Sequence, residues 1–248
     1  MKRLLEVCVD SLASARAAVR GGAHRLELCS ALAIGGLTPY SALLEQIRME
    51  SNIPVRCLMR PRAGDFLYTR EEILQMAREI EVLRTAGADG FVIGCLTADG
   101  DLDAAAMKPL LEAADGAGLT LHRCIDVSRD LLRTYRDAAQ LGIDTILTSG
   151  GAPNCRAGMD TIGQLLALQE AGGPKVLIGA GVNASAIEAF RSRFPAAVQF
   201  HMSGKTEIES AMRFRREGIS MGIPGFDEWH IQQTDETSVR AARTVLDR

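Results

Sequence analysis

Short apolar runs rich in Val, Ile and Leu alternate along the chain with longer stretches whose apolar positions recur at helical spacing. An apolar run bounded by Gly, Pro or polar turn residues reads as a strand buried on both faces, and a stripe recurring every three to four residues reads as a helix with one buried side. The strands are predicted at 4–10, 25–30, 53–61, 90–96, 119–127, 145–149, 175–179 and 197–202. Stretches such as Arg70 to Thr85 and Asp130 to Leu141 carry the helical spacing between them. Gly21-Gly22-Ala23, Ala86-Gly87-Ala88-Asp89, Leu141-Gly142-Ile143-Asp144 and Ala171-Gly172-Gly173 place glycine just past a helix, where a left-handed residue closes it.

Eight strand-plus-helix units with no break in composition predict one α/β domain over 1–248, a (β/α)8 TIM barrel, with a C-terminal tail at 212–248 packing on it. A doubly wound open sheet would carry a glycine-rich phosphate turn after its first strand. Asp10-Ser11-Leu12 is not one.

Residues two apart on a strand share a face. That parity groups Glu6, Cys8 and Asp10 on the first strand, Glu27 and Cys29 on the second, and Arg60 and Arg62 on the third. It groups His122, Cys124 and Asp126 on the fifth, and Gln199, His201 and Ser203 on the eighth. The expected result is a polar site at the C-terminal ends of the strands, where enzymes of this fold keep their chemistry. Glu6, Glu27, His122, Asp126 and His201 are the acid–base candidates. On an extended strand His122 and Asp126 would stand about 13 Å apart, so contact between them requires a bend.

Arg60-Pro61-Arg62-Ala63-Gly64-Asp65-Phe66 leaves the third strand with two guanidiniums suited to a carboxylate or phosphate, or equally to an exposed basic loop. Gly179-Ala180-Gly181-Val182-Asn183 follows the seventh strand, with Asn183 or Ser185 as helix cap, and makes Gly179 and Gly181 anion-binding candidates, although tight turns select glycine on steric grounds too. Cys8 and Cys29 fall at equivalent ends of adjacent strands. They are either a pair of soft Cu(I) ligands or two small buried hydrophobes.

Charge and cysteine usage narrow the class. With 28 Lys+Arg against 31 Asp+Glu, the net charge of -3 gives no global basic field, and no nucleic-acid partner is expected. Six dispersed cysteines without a Cys-x-x-Cys pair argue against a disulfide scaffold or structural zinc site. Glu6 and Asp10 interrupt the N-terminal region where a signal peptide would be apolar, and no 18-residue apolar run occurs. A cytoplasmic protein without membrane contact is expected.

The segments Glu6-Val7-Cys8-Val9-Asp10-Ser11, Arg25-Leu26-Glu27-Leu28-Cys29-Ser30, Gly35-Gly36-Leu37-Thr38-Pro39 and the Arg60–Phe66 run, followed by His122-Arg123, Leu147-Thr148-Ser149-Gly150 and His201-Met202-Ser203, together resemble the copper homeostasis protein CutC family. The resemblance implies a cytoplasmic barrel forming a homodimer or higher homo-oligomer, a role in copper homeostasis, and Cys8 and Cys29 as candidate Cu(I) ligands. Where the family usually has Phe-His-Arg-Ala-Phe-Asp this chain has Leu121-His122-Arg123-Cys124-Ile125-Asp126, and Gly151-Ala152-Pro153-Asn154-Cys155 also departs from the family pattern. The competing expectation is an enzyme that acts by acid–base chemistry on a small anionic or phosphorylated metabolite at the barrel mouth.

Overall fold

The computed structural model describes residues 3–216, 218–219, 221 and 227–248. Met1 and Lys2, and residues 217, 220 and 222–226 of the C-terminal segment, lie outside the described residues. Eight parallel strands close into a barrel: β1 (Leu4–Val9), β2 (Arg25–Leu28), β3 (Val55–Leu58), β4 (Gly90–Ile93), β5 (Gly118–Leu121), β6 (Thr145–Thr148), β7 (Lys175–Ile178) and β8 (Gln199–Met202). β8 pairs back onto β1 with Glu6 opposite His201. The surrounding helices are α1 (Leu12–Gly21), α2 (Ser41–Glu50), α3 (Arg70–Thr85), α4 (Ala104–Ala114), α5 (Leu131–Gln140), α6 (Met159–Glu170), α7 (Ala184–Arg193) and α8 (Glu236–Asp247).

Most helices are capped by side chains, and the glycines expected past the helix ends are there. Ser11, Asp103, Asp130, Asn183 and Asp235 accept backbone N–H bonds at helix starts, and Thr69 with Glu72 forms a reciprocal capping box. Gly22, Gly87, Gly142 and Gly172 are all left-handed at the helix ends, with φ of 91°, 101°, 80° and 99°. The last helix, α8, packs between α1 and α7 and so completes the outer ring. Ahead of it, β9 (Lys205–Glu209) and β10 (His230–Thr234) form an exposed antiparallel hairpin.

Odd-numbered residues of β1 (Leu5, Val7, Val9) and even-numbered ones of β2 (Leu26, Leu28) are buried with Ile47, Met76, Phe91, Phe190 and Phe200 in the layer between barrel and helices. Each large side chain buried there contributes roughly 1.5–3 kcal/mol. The barrel's inside is different, because it holds charge. Arg56 projects across it to donate to Thr120 and, at 2.9 and 3.0 Å, to both carboxylate oxygens of Asp144. Space for this guanidinium comes from Gly118 and Gly90: a Cβ on Gly118 would sit 2.6 Å from Arg56 Nη2, and one on Gly90 would meet the Gly118 carbonyl oxygen at 2.3 Å.

Two strands are shorter than their apolar runs. β3 ends at Leu58, after which Pro61 turns the chain. β5 ends at Leu121, and residues Arg123–Val127 coil into a 3-10 turn capped by His122, whose Nδ1 accepts from the Cys124 amide at 3.2 Å. Both differences move residues that strand parity aligns.

Candidate functional site

A cavity of about 490 Å³ opens at the C-terminal ends of the strands. Its floor is built by Cys8 on β1, Glu27 on β2 and His201 on β8, all three buried, with one donor atom from each lying within 4.8 Å of the others. The fully buried Glu6 accepts from His201 Nδ1 at 2.9 Å and from Arg25 Nε on the neighbouring strand. His201 Nε2 stands 3.6 Å from Glu27 Oε2, and the Cys29 thiol reaches that same oxygen at 3.5 Å.

The electrostatics of the floor follow from this packing. Burial opposes ionisation of Glu6, but the Arg25 charge and the His201 contact outweigh it and hold the carboxyl down at about 2. Burial also opposes protonation of His201, yet the Cys8 sulfur and the Glu27 and Glu6 carboxylates drive its pKa well above the ordinary histidine value. Burial raises Glu27, with the negative Glu6 adding to the rise. Cys29 is pushed far up by burial and by Glu27.

The wall carries a different set. His122 lines the cavity with its ring centroid 4.8 Å from that of Phe66. Because Nδ1 accepts from a backbone amide, the neutral ring carries its proton on Nε2, which is buried and has no acceptor among the described residues. Burial first, and the Arg60 charge second, push this histidine down to about 3. Arg60 donates to the carbonyls of Ile34, Gly36 and Gly64, each at 3.0 Å, and lies over the Phe66 ring, while its buried Nε has no partner.

Several expectations from strand parity are corrected. Glu6 does not reach the mouth; it lies fully buried beneath the floor and orients His201. Arg62 is separated from Arg60, because the chain has already left the strand and turned at Pro61. It pairs with Glu72 at 2.6 Å and Asp65 at 3.0 Å and stacks on Tyr68, away from the cavity lining. Asp126 does not share an extended face with His122. The 3-10 turn carries it to the end of β6, where it accepts from Thr148 Oγ1 at 2.5 Å, from the Ser149 and Gly151 amides at 3.0 Å, and from Arg123 at 2.7 Å. It thus organises the loop after β6 while still lining the cavity. At Gly179 a Cβ would lie 2.6 Å from Leu147 Cδ1, so that side chain would have to shift. Gly181 lines the cavity in a left-handed conformation, φ 73°, directly after the left-handed Ala180.

Cys29 lies outside the floor trio but packs in one small cluster with Cys8, Leu58 and Val92. Cys124 and Cys155 are both buried, and all six thiols are free. Arg25 and Arg56 are the residues that sequence reasoning passes over. Arg25 shares the parity of Glu27, and Arg56 that of Arg60, so the same alternation contains the signal.

Comparison with known proteins agrees with this architecture. The CutC family model matches residues 3–206. A family protein CutC from Chromobacterium violaceum is 40% identical over 249 residues, covering 100% of both chains, and one from Porphyromonas gingivalis W83 is 40% identical over 99% of each. The crystal structure of the putative copper homeostasis protein CutC from Streptococcus agalactiae superposes with a TM-score of 0.75 at 27% identity, covering 81% of this chain and 98% of that one. Family model, full-length relatives and superposition agree, and the chain belongs to the CutC family.

Proposed function

We propose that this chain is a cytoplasmic Cu(I)-binding protein of copper homeostasis, with Cys8 and His201 as its principal metal ligands. The observation that carries this reading is the convergence of the Cys8, Glu27 and His201 donor atoms within 4.8 Å at the cavity floor. The donor set suits the ion: thiolate and imidazole are soft and borderline ligands of the kind Cu(I) selects. His201 is held for such a role, because donation from Nδ1 to Glu6 leaves Nε2 as the ligating nitrogen. Cys29, adjacent to Cys8 in the same cluster, supplies a further sulfur once its thiol leaves Glu27. The Streptococcus agalactiae relative, a putative copper homeostasis protein, points the same way.

Binding displaces the proton from His201 and ionises Cys8, so affinity rises with pH across the neutral range. The test is anaerobic competition for Cu(I) against a chromophoric chelator. Cys8→Ser and His201→Asn are each expected to weaken binding by at least about tenfold, the scale on which even outer partners of a metal site act, and Cys29→Ser by less than Cys8→Ser. Unchanged affinity in Cys8→Ser refutes the proposal.

A further inference from the structure

The cavity wall poses a problem that a metal at the floor does not solve. Arg60 is buried, yet among the described residues it has no carboxylate partner; three carbonyls hold its guanidinium in place without neutralising it. A buried charge without a counter-charge is costly unless something of opposite sign comes to it. Beside it, His122 holds a buried Nε2–H with no acceptor among the described residues. The ring packs against Gly94, where a Cβ would come within 2.6 Å of Cε1 and 2.8 Å of Nδ1, and the residue lines the cavity. A third set of donors lies across the mouth: the amides of Ala180, Gly181 and Val182 at the entry to α7 have no acceptor among the described residues, and all three residues line the cavity. Lys205 at the rim forms no ion pair among the described residues.

We propose that the wall of this cavity is a binding site for a small organic oxyanion, whose charged group offsets Arg60 and whose oxygens take the His122 Nε2–H and the amides of the turn after β7. The site stands on wall residues rather than on the floor thiol, so it holds or fails independently of copper. A neutral imidazole is the appropriate donor here, because it remains an N–H donor at every physiological pH instead of adding a second buried charge beside Arg60. The volume of about 490 Å³ accommodates a small metabolite. The charged group is a carboxylate or a phosphate, two acceptors that a guanidinium and backbone amides serve equally well.

The experiment is titration of the metal-free full chain with glycerol 3-phosphate, glycerate and, as the neutral control, glycerol, with calorimetry giving affinity and the His122 side-chain 15N and Hε2 resonances reporting on the site. The expected result is saturable binding of one or both anions, not glycerol, accompanied by a shift of the His122 Nε2–H signal. Which anion binds more tightly assigns the group. Arg60→Met is expected to weaken binding by about tenfold or more, the loss of one charge-assisted hydrogen bond. Should that variant fold poorly, Lys205→Gln, on the exposed hairpin, is expected to give a smaller loss. The proposal is overturned if neither anion binds the wild-type chain, or if they bind while the His122 signal stays fixed.

Discussion

His122 and His201 sit in the same barrel, both buried, and their protonation is driven in opposite directions. His201 is surrounded by acidic partners on β1 and β2, with Glu6 at 2.9 Å and Glu27 at 3.6 Å, and it is held charged. His122 faces the ring of Phe66 and the cation of Arg60, gives its Nδ1 to a backbone amide and is held neutral. Burial is the largest influence on both and opposes the charge in each. At His201 the acidic partners overturn it, whereas at His122 the Arg60 cation adds to it. The floor is therefore a balanced ionic cluster and the wall an unbalanced cationic one, which is why the metal reading belongs to the first and the anion site to the second.

The largest expected effect comes from unbalancing the floor. Arg25→Met leaves Glu6 buried beside only His201 and is expected to cost about 3–5 kcal/mol in denaturant unfolding. A cost under about 1 kcal/mol would mean that Arg25 does not neutralise the floor. Arg60→Met is expected to cost less, about 1–3 kcal/mol, because it removes hydrogen bonds to three carbonyls but also an uncompensated charge. Equal losses in the two variants would erase the distinction between floor and wall.

Stability against pH sharpens the same contrast with a smaller signal. His122 has its folded pKa lowered from 6.5 to about 3, so the unfolded chain takes up a proton that the folded chain refuses, and stability falls as pH drops below 6.5. Glu6, lowered from 4.5 to about 2, adds to the loss below pH 4.5, while the raised Glu27 gains stability as pH falls toward 4.5 and so opposes the His122 loss above that value. His201 acts oppositely: its stabilisation is complete below 6.5 and is lost as pH rises through its elevated folded value. A stability maximum close to pH 6.5 is expected from urea midpoints across pH. His122→Phe should flatten the acid limb, and His201→Asn should flatten the alkaline limb and, by removing a partner of Glu6, also reduce the loss below pH 4.5.

Much of this arrangement is legible in the chain. Strand parity alone brings Glu6, Cys8, Glu27 and His201 to the barrel interior, because those residues lie inside strands where alternation holds. It fails for Arg62, which a proline turn carries off the cavity, and gives the wrong route for Asp126, which lines the cavity from a 3-10 turn and not from an extended face. Depth is also hidden. Parity gives the face and not the layer, so it assigns Glu6 to the mouth although that carboxylate pairs with Arg25 beneath it. Arg25 and Arg56 escape a sequence reading because a buried arginine is expensive, and the compensation, Glu6 for Arg25 and the openings at Gly90 and Gly118 with the Asp144 partner for Arg56, depends on inter-strand register that a single sequence does not display.

The most direct test of the floor as a copper site is X-ray absorption of the chain loaded anaerobically with one equivalent of Cu(I). A mixed first shell is predicted, with sulfur from Cys8 and an imidazole nitrogen from His201, the nitrogen contribution vanishing in His201→Asn. A shell of sulfur alone, or of nitrogen and oxygen without sulfur, would contradict the account.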